Sequence, residues 1–164
     1  MPVFTASFAG VAAAAAQDLF EITAPTNYKV AIRRIVLGQY TDFGDAAAEL
    51  LSLLIVRGHT TAGSGGTAAT PANLDSQGPK AYATVAVNNT TIASAGTGVN
   101  VWADAWNVAA GYVYPAAFPP VTLQQPQKAR LIIMHPGEIL AVRQSLPVDS
   151  LTMNGTIEWE ELPK

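Results

Sequence analysis

The 164-residue chain has no cysteine, which removes disulfides, thiolate metal sites and thiol nucleophiles together. Charge is scarce as well: Asp, Glu, Lys and Arg make up 13% of the residues, about half the ~25% of an ordinary soluble domain. The net charge of −3 leaves no basic field to attract nucleic acid or an anionic membrane surface. No apolar run approaches the ~20 residues of a membrane helix; the longest, 46–56, is interrupted by Glu49 and Ser52. The first residues, MPVFTASFAGVAAAAAQDLF, hold no Lys or Arg before their apolar part and are read as mature chain, not as a secretory signal.

What is present is apolar and uncharged polar. With 49% hydrophobic residues, the exposed surface has to be built from Thr, Ser, Asn, Gln, Ala and Gly, a composition that suits partial coverage by other subunits. The length is that of one domain with a sizeable core. Residues 1–17 read as an N-terminal arm or first strand and 18–164 as a single β-sandwich domain.

The clearest local pattern is LTMNGTIEWEE. Leu151, Met153, Ile157 and Trp159 share one parity, and Thr152, Asn154, Thr156, Glu158 and Glu160 the other, which is the period of a strand with one wet face. The alternation passes through Asn154 and Gly155 without a phase change, so one long strand is predicted there instead of a hairpin turn. Further strands are predicted at 3–8, 18–23, 28–40, 50–57, 82–87, 101–106, 130–134 and 138–144. In the third, Tyr28, Val30 and Ile32 share a parity while Ile35 and Leu37 take the other; a β-bulge at Arg33 and Arg34 would turn both sets inward.

HPGE at 135–138 predicts a type II turn joining its flanking strands as an antiparallel pair. The helix candidates are 11–17, on alanine propensity, and a short turn at 45–50. Many short strands with almost no helix indicate an all-β sandwich or barrel, and the long connections at 58–80 and 107–128 favour a jelly-roll or similar Greek-key type. The all-apolar strand LLSLLIV needs cover on both faces, from its own long loop or from a neighbouring subunit.

No motif carries chemistry above its structural alternative. GHTTAGS offers Gly58 and Gly63 but has Ser64 where a phosphate loop needs Lys. AGSGG approaches a nucleophile elbow, but Ala62 fills the first position, no helix follows, and the base could only be His59 or His135, the latter reading as a turn residue. Asp42 and Asp45 lack the alternating ligands of a calcium loop and read as turn caps. Glu158, Glu160 and Glu161 read as a solvated edge or a subunit contact. Trp102 and Trp106, with Asp104 between them, make either a sugar-stacking platform or core and interface aromatics. Neither a metal nor a cofactor is expected, and enzyme activity of the cupin or esterase type lacks its clustered residues.

Three stretches, DLFEITAPTNYKVAIRRIVLGQYTDFGDAAAELLSLLIVRGHTTAGSGGTAATPANLDS, ADAWNVAAGY and GEILAVRQSLPVDSLTMNGTIEWEE, resemble a group of small virion proteins of tailed bacteriophages, over about 18–161. The resemblance implies a non-enzymatic head decoration or cement protein with a β-sandwich or jelly-roll module. Such a module would form a homotrimer on the capsid exterior and bind across neighbouring major capsid subunits, with no nucleic acid, membrane or cofactor as partner. The protein would be made in the host cytoplasm and end in the virion. The expected contact residues are Val3, Phe4 and Phe8 in the apolar N-terminal segment, with Trp102, Trp106, Tyr112 and Tyr114. A tail, neck or fibre component, or a carbohydrate- or receptor-binding module using those four aromatics, is the other expectation.

Overall fold

The computed structural model describes residues 2–39, 50–107, 113–117, 132–145 and 151–164, which form strands and, among the described residues, no helix. In chain order the strands are β1 (Val3–Ala13), β2 (Gln17–Thr23), β3 (Tyr28–Gln39), β4 (Leu50–His59), β5 (Thr67–Ala69), β6 (Ala72–Asn73), β7 (Thr84–Asn89), β8 (Val99–Asn107), β9 (Val113–Ala117), β10 (Ile132–Met134), β11 (Ile139–Gln144) and β12 (Leu151–Pro163). They form two antiparallel sheets. One runs β10-β3-β12-β1-β6, with β9 also on β3; the other runs β5-β7-β2-β11-β4-β8.

With β9 and β10 counted as one interrupted strand along β3, the pairing is first with last: β1 with β12, β2 with β11, β3 with β9 and β10, and β4 with β8. Alternate members of this rolled hairpin fall in opposite sheets, which is the jelly-roll winding of a β-sandwich. The strands β5, β6 and β7 are additions made from the connection between β4 and β8. All nine sequence-predicted strands are present, and β1 is an integral strand of the first sheet.

The core lies between the sheets. β12 buries every second residue from Leu151 to Glu161, among them Trp159, which is fully buried with its ring centroid 6.0 Å from that of Phe4. The bulge in β3 is present: Ile32 opposes Trp159 and Arg34 opposes Glu158, which leaves Arg33 as the extra residue. Val30 and Ile32 before it, and Ile35 and Leu37 after it, all enter the core. Arg33 is paired with Glu160 and Arg34 with Glu158.

Asn154 and Gly155 sit mid-strand and serve packing. Opposite Asn154, β1 bulges at Ala9 and Gly10, whose N–H donates to the Asn154 Oδ1 at 2.9 Å. Gly155 faces the Phe8 and Phe20 rings, whose centroids are 5.1 Å apart. A Cβ on Gly155 would fall 2.7 Å from Phe8 Cζ and 2.9 Å from Phe20 Cε2, so only glycine admits both rings.

Two expectations are corrected. Residues 11–17 are not a helix: β1 continues to Ala13, which opposes Leu151, and β2 begins at Gln17. A helix of about two turns is marginal alone, whereas the ladder along β12 supplies backbone partners and Ala13 is small enough to be completely buried. The HPGE turn forms, with the Glu138 N–H donating to His135 O at 3.0 Å and Gly137 at φ +79°. It does not close a hairpin, because β10 pairs with β3 in one sheet while β11 lies between β2 and β4 in the other. The turn therefore carries the chain across the sandwich. It is tied to the end of β2 by Gly137 N–H to Ala24 O and Ala24 N–H to Glu138 O, both 3.0 Å. Of the turn expected at 45–50, residues 45–49, with Asp42, lie outside the described residues.

Candidate functional site

The Gly-, Ala-, Ser- and Thr-rich connection from β4 to β8 is an arm fastened along the sandwich edge. β7 adds to β2 and β5 to β7, while β6 adds to β1 in the other sheet. Its two ends are zipped by bridges Thr61 to Ser94 and Ser64 to Thr91, with reciprocal N–H to C=O bonds of 2.9–3.0 Å.

Three buried carboxylates fasten it further. Between Asp18 and Phe20 the register of β2 against β11 slips by one residue, and Leu19, Phe20 and Ile22 all join the core. Asp18 and Glu21 meet the arm. Asp18, with no exposure, accepts from the Ala93 N–H at 2.7 Å and from Arg143 Nε at 2.6 Å, while Arg143 Nη2 donates to Ala93 O at 2.9 Å. Glu21 accepts from the Gly63 N–H at 2.7 Å and Asn89 Nδ2 at 3.3 Å. Glu161 accepts from the N–H groups of Tyr82 (3.0 Å) and Ala83 (2.8 Å) and from Trp159 Nε1 (3.3 Å). Peptide N–H groups of the arm and neighbouring side-chain donors share these acceptors.

The residues weighed for catalysis are placed accordingly. Ser64 is held in its bridge, and His59 Nδ1 donates to Ala95 O at 3.2 Å. His135 sits in the turn between β10 and β11, its N–H donating to Glu138 Oε2 at 2.8 Å. Among the described residues no hydrogen bond joins Ser64 to either histidine, and no group of three metal-ligating side chains forms.

Of the expected contact residues, Phe4 and Phe8 are corrected: both lie in the core, because their parity on β1 faces the second sheet. Val3 is half-buried beside an open recess lined by Pro2, Asn73, Leu74 and Pro79. Trp102 lies on β8, the edge strand, and is 43% exposed. Trp106 opposes Leu51 and Tyr114 opposes Leu37 in backbone register, while their side chains lie outside the described residues, as does all of Tyr112.

The aromatic pair that the fold assembles is a different one. Tyr28 opens β3 and Tyr82 lies just before β7; their rings stack with centroids 4.8 Å apart and planes 11° from parallel. They line an open cleft with Pro25, Thr26, Asn27, Pro163 and Lys164. No local pattern flags the pair, since stacking depends on the arm folding back to the β2–β3 turn.

Tyr28 is pushed above the usual tyrosine value of 10.0, first by the charge of a Tyr82 phenolate, then by desolvation, a hydrogen bond with Tyr82 and the charge of Glu161. The folded chain therefore holds this proton more tightly than the unfolded one. The resulting stability is intact below pH 10.0 and is lost as pH rises through the folded value. In a phenolate absorbance titration one tyrosine should lag the others, and Tyr82→Phe should bring it back into step. A Tyr82→Phe curve that differs only by one missing residue would remove the coupling.

Comparison with protein-family models, with curated proteins and with solved structures gives no match to this chain.

Proposed function

We propose that this is a non-enzymatic virion structural protein of a tailed bacteriophage, a homotrimer that decorates or cements the capsid exterior by binding across neighbouring major capsid subunits. The observation that carries the reading is the clamped arm. From 60 to 98 its only charged residues are Asp75 and Lys80, and 60–62 and 64–68 are exposed. Buried carboxylates hold this surface in one shape at Gly63, Tyr82, Ala83 and Ala93. Rigid, uncharged contact surfaces lose little conformational entropy on docking. Several modest contacts made by one oligomer then add through effective concentration. A protein that binds only the assembled shell stabilises that shell by mass action. The sequence resemblance points the same way.

Purified particles of the source phage should contain the protein in stoichiometric amounts, and emptied of it they should lose heat resistance. In solution its mass should be three times 17.1 kDa. Virions that lack it altogether would end this reading.

A further inference from the structure

We infer that the Tyr28–Tyr82 cleft is a carbohydrate-binding site in which the exposed face of Tyr82 stacks on a pyranose ring. The first ground is the plate itself. Tyr82 remains 60% exposed although Tyr28 covers one side of it, the highest exposure of any aromatic among the described residues. Leaving an aromatic body in water is a cost that a ligand with an apolar face removes.

The second ground is rigidity. The backbone of Tyr82 is held by both oxygens of Glu161, a residue only 5% exposed whose carboxylate also takes the neighbouring Ala83 N–H. Tyr28 is fixed from the other side by its N–H bond to Pro25 O, at 3.4 Å, and by its place at the start of β3. A plate positioned by buried groups is organised before any ligand arrives.

The third ground is the rim. Thr26, Asn27 and Lys164 line the same open cleft as the two rings and supply a hydroxyl, an amide and an ammonium group. A pyranose has the complementary form, with an apolar C–H face and hydroxyls around its edge. A proline-rich peptide requires slots between separate aromatic ridges. Here the two rings are packed face to face at 4.8 Å, which leaves one flat plate and no slot. The site stands apart from where on a particle the protein sits, so virion content tests the proposed function and not this cleft.

The test is nuclear magnetic resonance on the full chain, titrated with methyl glycosides of glucose, galactose, mannose and N-acetylglucosamine, and separately with a hexaproline peptide. At least one glycoside should give saturable shifts centred on Asn27, Tyr28 and Tyr82, with a dissociation constant on the order of millimolar, as suits a single stacking platform. Tyr82→Trp should retain binding. Tyr82→Ala and Tyr82→Leu should each weaken it about tenfold or more, the leucine variant keeping apolar bulk without a planar face. The unliganded spectrum of each variant reports that the sandwich is intact. Absence of saturable shifts with all four glycosides, shifts that survive Tyr82→Leu, or binding of hexaproline alone would overturn the assignment.

Discussion

Alanine in place of Asp18 should lower the free energy of unfolding by about 3–5 kcal/mol, which for a chain of this size is a fall of roughly 6–20 °C in melting temperature. Asp18 is completely buried and answers Arg143, whose side chain is only 12% exposed. Its removal leaves the guanidinium without a countercharge and the Ala93 N–H without an acceptor. Urea unfolding measures the loss directly. The double variant Asp18→Ala with Arg143→Met should be less damaged than the two single changes added together, because the stranded charge goes with its partner. A loss below about 1 kcal/mol in Asp18→Ala would show that Arg143 reaches solvent easily and that the pair does not clamp the arm.

Glu161→Ala should cost about 2–4 kcal/mol, since it strands the N–H groups of Tyr82, Ala83 and Trp159. Glu161→Gln keeps one acceptor oxygen and should cost less. The more telling readout is local. Amide exchange at Tyr82 and Ala83 should accelerate by more than that of β3 and β12, and in Glu161→Ala the Tyr28–Tyr82 stack should loosen. A uniform acceleration across all amides would mean that Glu161 supports the sandwich as a whole and does not position the tyrosine plate.

The strands were legible because their signal is local. The alternation of β12 and the phase change at Arg33 and Arg34 follow from which side of each strand meets the core, and both are visible within a dozen residues. The partners were not legible. HPGE has the residues of its turn, but whether β10 and β11 then pair depends on β3, β2 and β4, which already occupy their edges. The alanines near residue 13 have helical propensity, and only the distant β12 outweighs it. β5 and β6, of three and two residues, are too short to show a period.

The functional groups followed the same division. Asp18, Glu21 and Glu161 resemble any strand carboxylates until the arm delivers peptide N–H groups to them. Phe4 and Phe8, in an apolar N-terminal stretch, suggested an adhesive segment; their parity against Trp159 and Phe20 makes them core. Tyr28 and Tyr82 carried no signal, being joined only through the closed fold.

The first-with-last winding also sets the order in which the protein can come into being. Val3 pairs with Glu160, and β12 separates β1 from β3. At synthesis rates of roughly 5–20 residues per second, β1 waits on the order of 10–30 s for its neighbour to be made. Until then the first sheet has a gap at its centre, with the facing edges of β1 and β3 leaving their backbone N–H and C=O groups unpaired. Closure of this sheet has to wait for β12 and is slow, as for other strand pairings of high sequence separation. A chain cut short before β12 lacks the strand that joins β1 to β3, so it cannot present the finished first sheet.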